Sequence, residues 1–146
     1  MNDFFSQTSP ELAEDARRLL LEIDHGAPGG SVAAGNCRPP LDILEHPDSL
    51  EIVMDVPGVP TDAVRVAVRG NTLLVVGRKP TDALETTARF HLAERSYGRF
   101  ARAVRLDGAF DGSRARASLT GGQLRISLPL LADRRGRVFS IPVERG

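Results

Sequence analysis

Cysteine is almost absent. Cys37 is the only one in 146 residues. A single thiol cannot staple a monomer or complete a cysteine-based metal site, and it points to a reducing compartment. Tryptophan is missing, and one tyrosine and six phenylalanines hold the aromatic share at 5%. The core therefore has to come from Val, Leu, Ile and Ala. An excess of either charge is also lacking, because 19 Lys and Arg balance 19 Asp and Glu. That removes the global positive field on which general nucleic-acid binding relies. No run approaches the roughly 18 continuous apolar residues of a membrane span, so none is expected. The opening residues MNDFFSQTSPELAED lack a basic segment leading into a long apolar core. They do not read as a secretory signal, and a cytoplasmic location is expected.

Catalytic constellations are equally scarce. His25, His46 and His91 stand in three unrelated contexts, none in metal-ligand spacing with Cys37 or a carboxylate cluster. Ser9, Ser96, Ser127 and Ser140 lack the glycine elbow of an acyl-transfer nucleophile. Gly26 to Gly35 is glycine-rich but has no lysine for a phosphate loop. Glu14 and Asp15 read as a helix surface. The basic run Arg134-Arg135-Gly136-Arg137 has no interleaved aromatics and reads as a solvated tail. No enzyme activity and no cofactor are expected.

What the chain does have is strand alternation. From Arg114 to Pro129 the sequence RARASLTGGQLRISLP puts Ala115, Ala117 and Leu119 on one face of a first strand. Leu124, Ile126 and Leu128 share a face of a second. Thr120-Gly121-Gly122 makes the turn. Leu50, Ile52, Met54 and Val56 point one way along another strand, which ends at Pro57-Gly58. Val64, Val66 and Val68 alternate with Arg65, Ala67 and Arg69. Thr72 to Val76 is uniformly apolar, as in a strand covered on both faces, and Gly77-Arg78-Lys79-Pro80 is expected to stop it. Phe100, Arg102, Val104 and Leu106 share a further face, and Leu41 to Leu44 and Phe90 to Leu92 are short candidates. Seven or eight short strands with glycine and proline punctuation favour an all-β antiparallel sandwich, with a twisted open barrel as the alternative.

The N-terminal residues read differently. Ser9-Pro10-Glu11 starts a helix, and Leu12, Ala16, Leu19, Leu20 and Ile23 form an apolar stripe at helical spacing. The stripe packs either on its own domain or on another subunit or client. The following HGAPGGSVAAGNCRPP has little ordered core potential and favours the second reading, a flexibly tethered arm. At the other end, Ile141-Pro142-Val143 forms an extended apolar island in a basic tail, with Ile141 and Val143 on the same side. The small side chains of the Ala115 to Leu119 strand leave a shallow groove that such a segment can enter.

Together these motifs resemble the small heat shock protein family, with its alpha-crystallin domain, over about residues 40 to 143. Ala117 to Leu124, ASLTGGQL, is similar to the family's A-x-x-x-n-G-x-L signature, with Gly121 where Asn is common. Asp55 to Val59 is similar to its strand-end pattern, Glu94 to Arg102 to the bacterial and plant E-R-x-x-G-x-F-x-R pattern, and Ile141 to Val143 to its C-terminal I-x-I/V motif. The resemblance implies an immunoglobulin-like sandwich at 40–129, an arm at 1–39 and an extension at 130–146. It implies an ATP-independent holdase that binds unfolding clients and assembles with itself through dimers into a larger oligomer. A strand around Phe90 and Leu92 would be exchanged between subunits, with Tyr97 at that contact and Arg95 and Arg102 near it or in the sheet interior, where they would need carboxylate or carbonyl partners. Ile141, Pro142 and Val143 would dock between Val64, Val66 and Val68 and Ala115, Ala117 and Leu119 of another dimer. Phe4, Phe5, Leu12, Leu19, Leu20 and Ile23 would cover client surface. The alternative is a non-chaperone binding module or co-chaperone-like scaffold on the same sandwich.

Overall fold

Alternation at period two and at helical spacing divides the chain into ten strands and two helices within residues 3–26, 30–81, 87–108, 110–130 and 138–146, which the computed structural model describes. The helices are α1 (Asp3–Ser6) and α2 (Pro10–Asp24). The strands are β1 (Ser31–Gly35), β2 (Leu41–His46), β3 (Ser49–Asp55), β4 (Val64–Arg69), β5 (Thr72–Lys79), β6 (Gly98–Arg105), β7 (Arg116–Thr120), β8 (Gln123–Pro129), β9 (Val138–Ile141) and β10 (Val143–Arg145). They build two five-stranded sheets, ordered β1-β6-β5-β4-β9 and β10-β7-β8-β3-β2. Every pairing is antiparallel except that of β10 on β7. The two sheets make a sandwich, not a barrel. No helix among the described residues is long and apolar enough to cross a membrane.

The β7–β8 hairpin shows how closely local chemistry sets the backbone. Thr120 pairs with Gln123 across a two-residue loop, and Gly121 and Gly122 have φ of 58° and 77°. A tight hairpin of this hand needs positive φ at both central positions, which glycine adopts without a Cβ clash. Leu124, Ile126 and Leu128 are fully buried, as are Ile52, Met54 and Val56 from the next strand and its end. They meet Val64, Val66, Val68, Leu73, Val75, Phe100 and Val104 from the other sheet in one core.

β5 does not stop at Gly77 as the punctuation suggested; it continues to Lys79. Gly77 pairs with Phe100, and the ring of Phe100 lies where a Cβ would stand. The glycine makes room inside the strand. The uniformly apolar stretch before it has a double explanation. Leu73 and Val75 face the other sheet, whereas Leu74 and Val76 face outward under α2.

That second contact corrects the reading of the N-terminal segment. α2 is not a detached arm in the single chain. Phe4, Leu12, Leu19 and Ile23 are buried, and Phe5 and Leu20 are half-buried. Phe4, Leu12, Ala16 and Leu19 form a second core with Ala67, Leu74, Val76, Ala101 and Ala103. The physical reason lies in those alanines: small side chains let a helix approach a sheet closely, and the apolar stripe of α2 needs a cover. The Gly/Pro stretch is corrected too. Ser31–Gly35 pairs along β6 in full register, Ser31 opposite Val104 and Gly35 opposite Phe100. Short side chains did not prevent this strand, because the open edge of β6 supplied its ladder partners.

The loop strand expected at Phe90 to Leu92 is absent from the single chain. Residues 87–97 carry no strand, and Phe90 and Leu92 are 59% and 75% exposed. A short strand needs a ladder partner, and none pairs with this segment among the described residues.

Candidate functional site

One edge of the sandwich is defined by β4 in one sheet and β7 in the other, and the tail closes it. β9 pairs antiparallel with β4, placing Ile141 opposite Val66, Ser140 opposite Ala67 and Phe139 opposite Val68. β10 pairs in parallel with β7, Val143 opposite Ala117 and Arg145 opposite Leu119. The Gly146 N–H then donates to the Leu119 carbonyl at 3.2 Å. Pro142 is the residue between the two strands, where the chain leaves one sheet for the other. A residue without an N–H fits a crossover that needs no ladder donor.

Of the groove residues, Val64, Val66, Val68, Ala117 and Leu119 are buried and Ala115 is half-buried. Ile141 is buried among them, and Val143 packs against the same core. Three segments far apart in sequence thus meet at one edge. They meet within one chain: the tail occupies the chain's own groove, whereas the resemblance implied another dimer's. Sequence reasoning missed Phe139, whose ring packs over Gly112 in a short 3-10 turn at Gly112–Arg114 just before β7. The signal was there, since Phe139, Ile141 and Val143 continue one period-two series.

The arm forms a second polar and apolar arrangement. Outward-facing positions of β4, β5 and β6 carry Arg65, Arg69, Arg78, Arg99 and Arg105 around the small apolar patch under α2. Arg99 Nε donates to Asp15 Oδ2 at 3.0 Å, and Arg18 reaches Asp15 Oδ1 at 3.4 Å. Arg69 donates to Asp24 at 2.8 Å, Arg78 to Glu11 at 3.1 Å and Arg65 to the Gln7 side-chain oxygen at 3.5 Å. Arg105 donates to the Ile23 carbonyl at the last turn of the helix. Asp15 is the unusual member, a carboxylate with 5% side-chain exposure on an otherwise apolar face. A buried carboxylate needs its cations close, and Arg99 and Arg18 provide them. The helix start itself is local: Ser9 Oγ accepts from the Leu12 N–H, and Pro10 follows it.

Arg102 lies on the inner face of β6 and is buried. It donates to the Pro39 carbonyl at 2.8 Å and to Ser31 Oγ at 2.7 Å. Burial, and secondarily the nearby Arg38 charge, pushes its pKa down. Arg95 stacks over the Tyr97 ring at 5.1 Å, and Phe90 and Leu92 are exposed.

Two packed sheets whose open edge is closed by the chain's own terminal strands make an immunoglobulin-like sandwich. Residues 42–144 match the Hsp20/alpha crystallin family, and the chain belongs to it, among the small heat shock proteins. It is 33% identical over 91 residues to Spore protein SP21 of Stigmatella aurantiaca, covering 62% of this chain and 54% of that protein. With the 16.9 kDa class I heat shock protein 1 of Triticum aestivum it shares 28% over 131 residues, covering 89% and 85%. The chain spans 54% and 60% of two of the curated relatives it matches, the spore protein and a 17.7 kDa class II heat shock protein of Arabidopsis thaliana. Among solved structures, a small heat-shock protein from Xylella fastidiosa superposes with a TM-score of 0.59 at 29% identity, over 70% of this chain and 94% of that one. Heat shock protein 16.0 from Schizosaccharomyces pombe shares the fold, with a TM-score of 0.62 at 23% identity over 69% and 94%.

Proposed function

We propose that the chain is an ATP-independent holdase that binds partly unfolded proteins and prevents their aggregation. The observation that carries this reading is the two-sided apolar contact under α2. Lifting the helix uncovers Phe4, Leu12, Leu19 and Ile23 on one side, with Phe5 and Leu20 beside them. On the other side it uncovers Ala67, Leu74, Val76, Ala101 and Ala103. An unfolding client offers apolar surface that can take the place of either cover. Burial of about 400 Å² contributes on the order of 10 kcal/mol before ordering costs. Exchanging one apolar cover for another of similar size is nearly balanced, so no nucleotide is needed to drive it. Several arms on one oligomer raise the effective affinity.

Assembly follows from the same economy of contacts. The ladder that β9 and β10 make in their own groove is available, bond for bond, to the tail of a second copy, which is the logic of domain exchange. The exposed Phe90 and Leu92 and the outer edge of β2, with Ile43 and Leu44 exposed, suit strand addition between subunits. Balanced charge and a lone thiol fit cytoplasmic work without nucleic acid.

Light scattering of a heat-labile client tests the activity directly. Added at equimolar ratio without nucleotide, the protein is expected to suppress aggregation, and an unchanged scattering curve would sink the proposal. The closed arm and closed tail also suit the second reading, a non-chaperone binding module or co-chaperone-like scaffold. Replacing Ile141 and Val143 by Gly separates the two: native mass falls if tails join copies and stays constant for a self-contained scaffold.

A further inference from the structure

The tail contact extends beyond its three-residue motif. Phe139 precedes Ile141 by two residues on the same face of β9, half-buried opposite Val68. Beneath it lies the turn Gly112–Arg114. Asp111 holds that turn by accepting from the Ser113 N–H at 3.0 Å, while the Asp111 N–H donates to the Pro129 carbonyl at 2.9 Å. Gly112 is buried, and its backbone is not in the left-handed region, so conformation does not demand glycine. Space does. A Cβ on Gly112 would stand 2.6 Å from Phe139 Cγ and 2.8 Å from Phe139 Cβ. A χ1 rotation can carry Cγ away, but Cβ is fixed by the tail backbone, so the tail strand itself would have to move.

We infer that Phe139 and Gly112 form a third anchor of the tail seat, an aromatic knob in a glycine hole, that selects which tails the groove accepts. The occupant is this chain's C-terminal tail, residues 138–146, as seated in the groove. Ile141 and Val143 enter a generic valine- and alanine-lined groove. The hole beside it admits a large ring only because residue 112 has no side chain. A groove with any larger residue there would reject this tail, and a tail without an aromatic at this position would leave the hole unfilled. This inference rests on the tail-docking reading above and adds selectivity to it.

The test uses full-length chains whose own tails are disabled by Phe139→Gly, Ile141→Gly and Val143→Gly. The probe is a fluorescein-labelled synthetic peptide of residues 138–146, with Phe or with Ala at position 139, and binding is read by anisotropy. On the groove with Gly112 the Phe peptide is expected to bind about tenfold more tightly, the scale set by loss of a packed aromatic. On a Gly112→Ala groove both peptides are expected to weaken and the Phe preference to vanish, because the added Cβ crowds the Cβ that Phe and Ala share, at 2.8 Å, and also the Cγ and ring atoms that only Phe carries. A Gly112→Ala chain that still binds the Ala peptide is thereby folded. If it binds neither peptide, the comparison on the Gly112 groove decides. Equal affinity of both peptides there overturns the third anchor alone. Failure of both peptides on that groove overturns tail docking itself.

Discussion

Gly77 and Cys37 show what single atoms are worth in this sandwich. A Cβ at Gly77 would meet the Ala63 carbonyl at 2.8 Å and Phe100 Cε2 at 2.9 Å. Backbone and a fully buried ring both have little freedom to yield. Gly77→Ala is therefore expected to cost about 1–3 kcal/mol, seen as a lower urea midpoint with an unchanged slope. Cys37 is half-buried, its thiol directed at the Gly98 and Arg99 carbonyls at 3.7 and 3.8 Å. Burial pushes the thiol's pKa above its ordinary 9.0, against the opposing Lys79 charge. The folded state thus prefers the neutral thiol. Its contribution is complete below pH 9.0 and is lost as pH rises through the raised folded value. At pH 8, iodoacetamide is expected to alkylate Cys37 more slowly than it alkylates the same residue in the urea-unfolded chain; an equal rate would contradict the burial argument.

Among the elements, α2 is held by two unlike forces. Its stripe is apolar and non-directional, whereas the surrounding arginines bind specific atoms and so set its position along the sheet. Asp15 joins the two, since it sits on the buried face and yet pairs with Arg99 and Arg18. Arg99 keeps about a third of its side-chain surface exposed, so water replaces part of a lost partner. Asp15→Ala is accordingly expected to cost about 1–2 kcal/mol of arm docking. Amide exchange over Pro10–Asp24 should quicken by about tenfold, while exchange in β8 stays unchanged. Parallel acceleration in β8 would mean that the arm and the sandwich open as one unit, without a separate arm equilibrium. The tail differs in kind, because its hold is a backbone ladder with two or three side-chain anchors.

For the whole molecule, the single chain satisfies its apolar stripe and its groove internally, yet leaves Phe90 and Leu92 in water. We propose that these exposed large apolar residues serve a contact with another chain. Leu92→Asp is expected to leave the melting temperature of the isolated subunit within about a degree while shifting native mass spectra from even-numbered species toward monomers. An unchanged dimer fraction would remove this loop from the assembly contact.

Much of this was legible from the residues alone. Alternation placed the inward faces of β3, β4, β7 and β8, and paired glycines placed the hairpin turn, because period two and positive φ are local properties of the chain. Ser9 and Pro10 marked the start of α2 for the same reason. The destination of the helix was not legible, although Arg65-x-Ala67-x-Arg69 and Arg99-x-Ala101-x-Ala103-x-Arg105 carried the signal. Alternation assigns side chains to a face but does not say what covers it. Nor could sequence place Phe139 over Gly112, or Arg102 against Pro39 and Ser31, since each contact joins segments that only folding brings together. The sequence by itself determined the inward faces of β3, β4, β7 and β8, the hairpin turn and the apolar tail motif, all products of short-range sterics and pattern. Only the tertiary structure decided that the arm lies on its own sheet and the tail in its own groove, because an apolar surface takes whichever cover the completed fold sets nearest.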